Sequence, residues 1–211
     1  MKRYLFLISI LFSIAIITQA QEKSCNTNFI NLESGINLSQ FDFSASELTA
    51  FKNGSFSPSQ HQALSLGFNL KGDLYLVLES AYDKYQVIGK SIDMSSSHLS
   101  YDLNYVSASA GLEYSFPVQD KVSLLASGGV AYNYFISGFQ NIGSSSYDLA
   151  ESDFEANSYS IGAGILYQMT DAKGIYLKYD WSKTMNMEDA NDSYKLTSYV
   201  YSVGIRFTLA N

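Results

Sequence analysis

Cysteine, basic residues and long apolar runs are all scarce in this chain of 211 residues. Its one cysteine, Cys25, cannot form a disulfide within the chain. Thirteen basic residues against twenty acidic ones argue against nucleic acid as a partner, because phosphate binding requires clustered Lys and Arg. Beyond the N-terminus no run of about 18 apolar residues occurs, so no spanning helix is expected there.

The N-terminus has the pattern of a secretory signal peptide. Lys2 and Arg3 precede an apolar run from Tyr4 to Thr18, and the small residue Ala20 comes just before Gln21. An uncleaved anchor is the alternative, but the run is shorter than the ~20 residues that a spanning helix needs. We therefore expect residues 1–20 to be a signal peptide and residues 21–211 to form one domain with a net charge of −9.

Cys25 could in principle carry a lipid, as in bacterial lipoproteins. The preceding residues, Glu22, Lys23 and Ser24, lack the small and apolar side chains that such a cleavage site requires. We interpret Cys25 as an unpaired thiol near the N-terminus.

Eight segments alternate apolar and polar residues with the period of two that is typical of β-strands. In each segment the polar set is mostly Ser, Gly and Asn with a few charges. The predicted strands cover about Phe29 to Leu38, Ala63 to Leu70, Leu74 to Asp83, Leu99 to Phe116, Val122 to Ile136, Ser158 to Gln168, Ile175 to Ser182 and Tyr199 to Leu209.

The glycines decide which face is the interior. Nearly all strand glycines share the polar face, and only Gly128 lies on the apolar one. A solvated sheet face gives glycine no advantage, whereas the crowded interior of an eight-stranded barrel does. The polar face is therefore predicted to line a narrow lumen, and the apolar face to contact lipid. The polar-face glycines are Gly35, Gly67, Gly111, Gly129, Gly162, Gly164 and Gly204.

Aromatic residues and connection lengths support the same architecture. Aromatics cluster at both ends of the apolar face, as the headgroup layers of a membrane favour. The outer aromatic girdle, toward the long connections, consists of Tyr82, Tyr132, Tyr134, Tyr159, Trp181, Tyr199 and Tyr201. The other set, at the short-turn ends, is Tyr114, Phe116, Tyr167 and Phe207. Long connections (about 39–62, 86–98, 137–153 and 183–195) alternate with short turns. We predict an all-β, eight-stranded antiparallel up-and-down transmembrane β-barrel with four long extracellular loops and short periplasmic turns.

The fourth strand departs from a single alternation. Leu99, Tyr101, Leu103 and Tyr105 have the opposite phase to the apolar set that starts at Val106. We predict a β-bulge near Tyr105, because one extra residue moves every later side chain to the other face. A strand that begins only near Tyr105 is the alternative.

Two runs, one in the fourth strand and one in the last, carry a resemblance to a known family. The run Tyr105 to Tyr114 and the terminal run Gly204 to Leu209 resemble the outer-membrane β-barrel domain family common in Bacteroidota, and more distantly the small OmpA/OmpX-type barrels. The likeness covers roughly Cys25 to Asn211. It implies an outer-membrane location and contact with the barrel-insertion machinery, but no particular ligand.

Charged residues on the polar face are predicted to form an ion network that plugs the lumen. A proton path, an ion path or a gate is the functional alternative, although eight strands leave little open bore. Strand eight closes onto strand one, which would place Glu33 on one side of Arg206 and the strand of the Lys178/Asp180 pair on the other. The predicted network consists of Glu33, Glu79, Glu113, Lys178, Asp180 and Arg206.

Other candidate sites are weak. His61 and His98 lie at or near loop ends, and we expect exposed rim histidines because nothing places either beside a nucleophile. The acidic runs 148–153 and 188–192 lack the glycine of an EF-hand loop and are interpreted as solvated loops. Gly162-Ala163-Gly164 lacks the third glycine of a nucleotide fingerprint. No catalytic residue, metal or cofactor is predicted.

The first functional hypothesis is a structural or adhesive surface protein, a monomer that contacts outer-membrane lipid and lipopolysaccharide and binds extracellular ligands through its loops. Three alternatives remain open: a lipid- or lipopolysaccharide-modifying enzyme, a small pore, and a soluble periplasmic β-barrel or sandwich.

Overall fold

A computed structural model describes residues 27–44, 52–90, 98–149, 156–185 and 193–209. Nine strands account for nearly all of them. They are β1 (Asn28–Ser44), β2 (Lys52–Lys71), β3 (Leu74–Lys90), β4 (His98–Gln119), β5 (Val122–Ile142), β6 (Ser145–Asp148), β7 (Ala156–Thr170), β8 (Lys173–Thr184) and β9 (Ser193–Leu209). In this described part of the chain, no helix has the length and apolarity to cross a membrane.

Eight of these strands close into an antiparallel barrel. Each strand pairs with its neighbour in sequence, and β1 closes the barrel on β9 from Asn28↔Leu209 to Ser44↔Ser193. β6 is outside the barrel wall, since it folds back on the end of β5 alone. Two-residue turns join β2 to β3, β4 to β5 and β7 to β8. The predicted fold is confirmed, with β6 as an additional strand within the third long connection.

The strands extend further into the long connections than predicted. β1 runs to Ser44 instead of Leu38, and β2 starts at Lys52 instead of Ala63. The parts that rise above the membrane have water on their outer side. They therefore need no continuous apolar face, and the alternation that marks a membrane strand fades there.

The two faces of the barrel are assigned as the sequence predicted. Outward-facing apolar side chains remain exposed, with Leu177 at 62% and Val203 at 50% exposure. Their neighbours on the opposite face are buried, and Ser202 is 6% exposed. Apolar side chains that a soluble protein would bury are thus on the outside, where lipid covers them. The soluble periplasmic alternative is therefore wrong.

Inward-facing glycines make room for large inward side chains. A Cβ at Gly204 would overlap the ring of Tyr176, and one at Gly67 would overlap the ring of Phe29. At the outward-facing Gly128 the nearest atom would be 3.5 Å away, an ordinary contact. The crowding that the glycine pattern indicated is therefore present in the lumen.

A bulge is present at the predicted level near Tyr105, but it lies on β5 instead of the fourth strand, and the predicted change of phase within that strand is wrong. The pairing of β4 with β5 does shift at this level, between Asn104↔Ser137 and Tyr105↔Phe135. The extra residue, Ile136, is on β5, so β4 keeps one phase throughout. Leu103 and Tyr105 consequently face the lumen and are buried. The shorter-strand alternative is also wrong, because β4 begins at His98.

Candidate functional site

The periplasmic end of the lumen is organised around Arg206 on β9. Its Nη2 donates to Glu113 Oε1 at 2.8 Å, and its Nε donates to Asn31 Oδ1 at 2.9 Å. The guanidinium lies 3.7 Å from the centre of the Phe29 ring. Glu113 and Arg206 are only 3% and 4% exposed, so this is a buried, hydrogen-bonded ion pair between β4 and β9.

Glu33 does not contact Arg206, contrary to the placement expected from sequence. The partner of Arg206 across the β1–β9 ladder is Asn31, and Glu33 faces Gly204 instead. Because Gly204 has no side chain, Tyr176 from β8 reaches over it and donates its hydroxyl to Glu33 Oε2 at 2.8 Å.

His61 links two carboxylates in the middle of the lumen. Its Nε2 is 3.2 Å from Glu33 Oε1, and its Nδ1 is 2.8 Å from Asp83 Oδ1. Ionised carboxylates only accept hydrogen bonds, so both ring nitrogens donate when both acids are ionised. Asp83 also accepts from Asn37 Nδ2 at 3.3 Å.

The expectation that His61 is an exposed rim residue is therefore wrong. Its side chain is buried, with 6% exposure. The apolar–polar alternation of the second strand fades before Ala63, so the pattern left His61 in a loop. His61 pairs with Gly35 on β1 and with Asp83 on β3, and both of these residues were already predicted to face the lumen. They could have indicated an inward-facing His61, but the register of the three strands could not be read from the sequence.

The remaining predicted lumen charges surround a central cavity of about 110 Å³. Lys178 Nζ lies 3.2 Å from Asp180 Oδ1 on the same strand, two residues away. Glu79 also lines this cavity, together with Glu33 and Asp83. Of the six predicted network residues, the structure thus brings four into Lys or Arg ion pairs. It adds His61 and Tyr176 as partners of Glu33, and Asp83 as a partner of His61.

An apolar cluster closes the extracellular end of the lumen. Five buried side chains form this outer plug: Tyr85, Leu103, Tyr105, Phe135 and Leu196. The Tyr105 ring contacts Tyr85 and Phe135 edge to face, with centroids 5.3 and 5.5 Å apart. A second buried cluster of Leu125, Leu166 and Tyr176 fills part of the lumen nearer the short turns. The lumen therefore contains apolar packing on both sides of its polar centre.

Beyond the outer plug, β5 and β6 form a projecting hairpin. A two-residue turn joins them, with Gly143 at a φ of 60°, a left-handed conformation that glycine adopts readily. Phe139 and Tyr147 on this hairpin are 44% and 54% exposed. The Leu149 N–H then donates to Gly138 O at 3.0 Å, and the Leu149 side chain packs against the outer plug.

No metal-holding group of His, Cys, Asp or Glu side chains occurs within the described residues. Several sequence expectations lie outside those residues: the signal peptide 1–20, Cys25, the acidic run 188–192 and most of the run 148–153. The side chain of His98 is likewise outside the described set.

Comparison with protein families decides the classification of this barrel. The family model for the outer membrane protein beta-barrel domain matches residues 8–207. The chain belongs to this family. Membership of the outer membrane protein beta-barrel domain family agrees with the outward apolar face and places the protein in the outer membrane. The comparison with curated proteins found no match.

Solved structures with the same fold include other outer-membrane barrels. Neisserial surface protein A is 14% identical over 86% of this chain and 97% of its own, with a TM-score of 0.57. OprG from Pseudomonas aeruginosa is 13% identical over 88% and 97%, with a TM-score of 0.54. The outer membrane protease OmpT from Escherichia coli is 9% identical over 90% and 99%, with a TM-score of 0.50. At these identities the likeness shows the shared fold alone.

Proposed function

We propose that this protein is a closed outer-membrane barrel that binds other molecules at the cell surface, and that it neither catalyses a reaction nor conducts ions. The observation that carries this proposal is the β5–β6 hairpin. β5 continues from Tyr134, at the outer aromatic girdle, to Ile142. At ~3.3 Å per residue and a strand tilt of ~40°, the hairpin rises about 20 Å above the girdle.

The lumen supports a structural role for its charges. The charged residues Glu33, Glu79, Glu113, Lys178 and Asp180, with His61 and Asp83, line the central cavity, and Arg206 pairs with Glu113 at its edge. The outer plug separates this polar centre from the extracellular side. The Arg206–Glu113 pair links β9 to β4 across the lumen, and it resists separation because either partner left alone would be a buried, unpaired charge.

The contacts of His61 argue against a hydrolytic centre. A hydrolase of this type needs a base next to a nucleophile with access to substrate. Both nitrogens of His61 instead contact carboxylates, beneath the outer plug.

Surface display tests the proposal. The Gly138 O to Leu149 N contact allows residues 139–148 to be replaced by Asn-Gly, a two-residue turn that favours a tight hairpin. Cells displaying the wild-type barrel should adhere to plates coated with basic or acidic purified proteins, or to each other, several-fold more than cells displaying this deletion. The matched control replaces Asp171 and Ala172 in a periplasmic turn by Asn-Gly.

Equal adherence of all three strains, with heat-modifiable migration showing that each barrel is folded, would contradict the surface-binding role. Planar-bilayer recording of the wild type should show no conductance steps. Regular steps would instead support the pore alternative.

A further inference from the structure

The projecting hairpin ends in a strand with one free edge. Among the described residues, β6 pairs only with β5, from Phe139↔Asp148 to Ile142↔Ser145. All four residues of β6 are exposed. The other side of β6 therefore offers backbone N–H and C=O groups to an added strand.

Three side chains form a row across this projecting sheet. Asp102 on β4 is paired with Phe139 on β5, and Phe139 is paired with Asp148 on β6. Directly paired residues share a face of the sheet and lie about 5 Å apart, so the two carboxylates flank the Phe139 ring. We call this set the Asp–Phe–Asp row. Phe139 is 44% exposed as a residue, and Asp148 is exposed.

This row has the chemistry of a site for an organic cation. A guanidinium can stack on an aromatic face and donate hydrogen bonds to neighbouring carboxylates. Asp102 Oδ2 accepts from Asn141 Nδ2 at 3.2 Å, which positions the carboxylate. Within the described residues, the recorded salt bridges give neither Asp102 nor Asp148 a basic partner.

The sequence gives this chain no exposed arginine within its described residues that could fill the row. No Lys or Arg occurs between Lys121 and Lys173. The only arginine beyond the predicted signal peptide is Arg206, which is buried in the lumen. A second copy of this chain therefore has no free arginine to place against the row.

We propose that the free edge of β6 and the Asp–Phe–Asp row bind an extended, arginine-containing segment of another protein. The segment adds to β6 as a further strand. Its residue next to Asp148 is an arginine, whose guanidinium pairs with that carboxylate and reaches over Phe139. This inference rests on the proposed surface-binding function and specifies its partner.

The probe is a synthetic peptide in which arginine alternates with threonine, titrated against the full protein in lipid nanodiscs by fluorescence anisotropy. The wild type should bind it, and binding should weaken as salt rises. Asp148→Asn should weaken binding at least about tenfold, in the range of a lost charge-assisted hydrogen bond. Phe139→Ala should weaken it several-fold. Asp171→Asn, in an exposed periplasmic turn, is the matched control and should leave it unchanged.

A second binding experiment tests whether the peptide pairs with β6 through its backbone. Two peptides carry N-methyl groups on alternate residues, one set on each phase of the strand. Only one phase turns its N–H groups toward β6, so one methylated peptide should lose binding and the other retain it. Equal binding of the two methylated peptides would overturn the proposal that the segment adds to β6 as a strand. Wild-type affinity of the Asp148→Asn variant would overturn the proposal that an arginine binds the Asp–Phe–Asp row.

The display experiment separates this inference from the function beneath it. If deletion of the hairpin abolishes adherence but the arginine peptide does not bind, the partner assignment is wrong and the surface-binding role stands. If the peptide binds but the deletion leaves adherence unchanged, the adhesive role of the hairpin is wrong.

Discussion

Removal of one partner from the Arg206–Glu113 pair should strongly destabilise the barrel. In Glu113→Met the Arg206 guanidinium keeps Asn31 and the Phe29 ring but loses its counter-charge in a buried site. Such a stranded charge typically costs about 3–5 kcal/mol, and Arg206→Met should cost a similar amount because it strands Glu113. The double substitution leaves no charge behind. Its main cost is the unpaired Asn31 oxygen, about 1–3 kcal/mol.

The losses in free energy of unfolding from the two single substitutions therefore sum to about 6–10 kcal/mol, well above the loss expected for the double variant. This difference implies a coupling energy of at least ~3 kcal/mol between the two residues. Urea unfolding in lipid vesicles measures the free energy of unfolding through Trp181, the single tryptophan of the chain. The exposed Lys84→Met is the control and should change it by less than about 0.5 kcal/mol. A Glu113→Met variant within 1 kcal/mol of wild type, or costs that simply add, would refute this reasoning.

Four other substitutions test three separate parts of the structure in the same unfolding assay. Leu66→Arg and Val203→Arg put a charge on the lipid face, and each should lower the free energy of unfolding by about 2–4 kcal/mol near the bilayer midplane. Val203→Leu is the control and should be nearly neutral. Unchanged stability in both arginine variants would count against the face assignment. Gly204→Ala forces a methyl group against the Tyr176 ring and should cost about 1–3 kcal/mol, with the outward Gly128→Ala as the control; equal stabilities would show that the lumen is less crowded than described. Phe135→Ala empties the centre of the outer plug and should cost about 3–5 kcal/mol, and a loss below 1 kcal/mol would indicate that the plug is not packed.

The barrel itself was predictable because the membrane imposes a simple rule on it. Each spanning strand must turn apolar residues such as Leu66 and Val203 to lipid, and a narrow interior requires small residues such as Gly67 and Gly204. Both requirements have a period of two, so they are visible without any knowledge of strand partners.

The parts that were missed depend on register or lie above the membrane. The extra residue at Ile136 shifts the pairing of β5 with β4, and the alternation within β4 does not show which strand carries it. His61 meets Glu33 and Asp83 only through the pairing of three strands. β6 stands in water, where no apolar face is imposed, and its four residues show no alternation.

The outward placement of the apolar side chains, in contact with lipid, is the central feature of this barrel. Solid-state NMR of the labelled protein in bilayers measures magnetisation transfer from acyl-chain protons to individual side chains, without any substitution. Leu66, Ile161 and Val203 should show transfer, whereas their inward neighbours Ser65, Ser160 and Ser202 should show none. Transfer to the serines, or its absence from all three apolar residues, would contradict the outward apolar face.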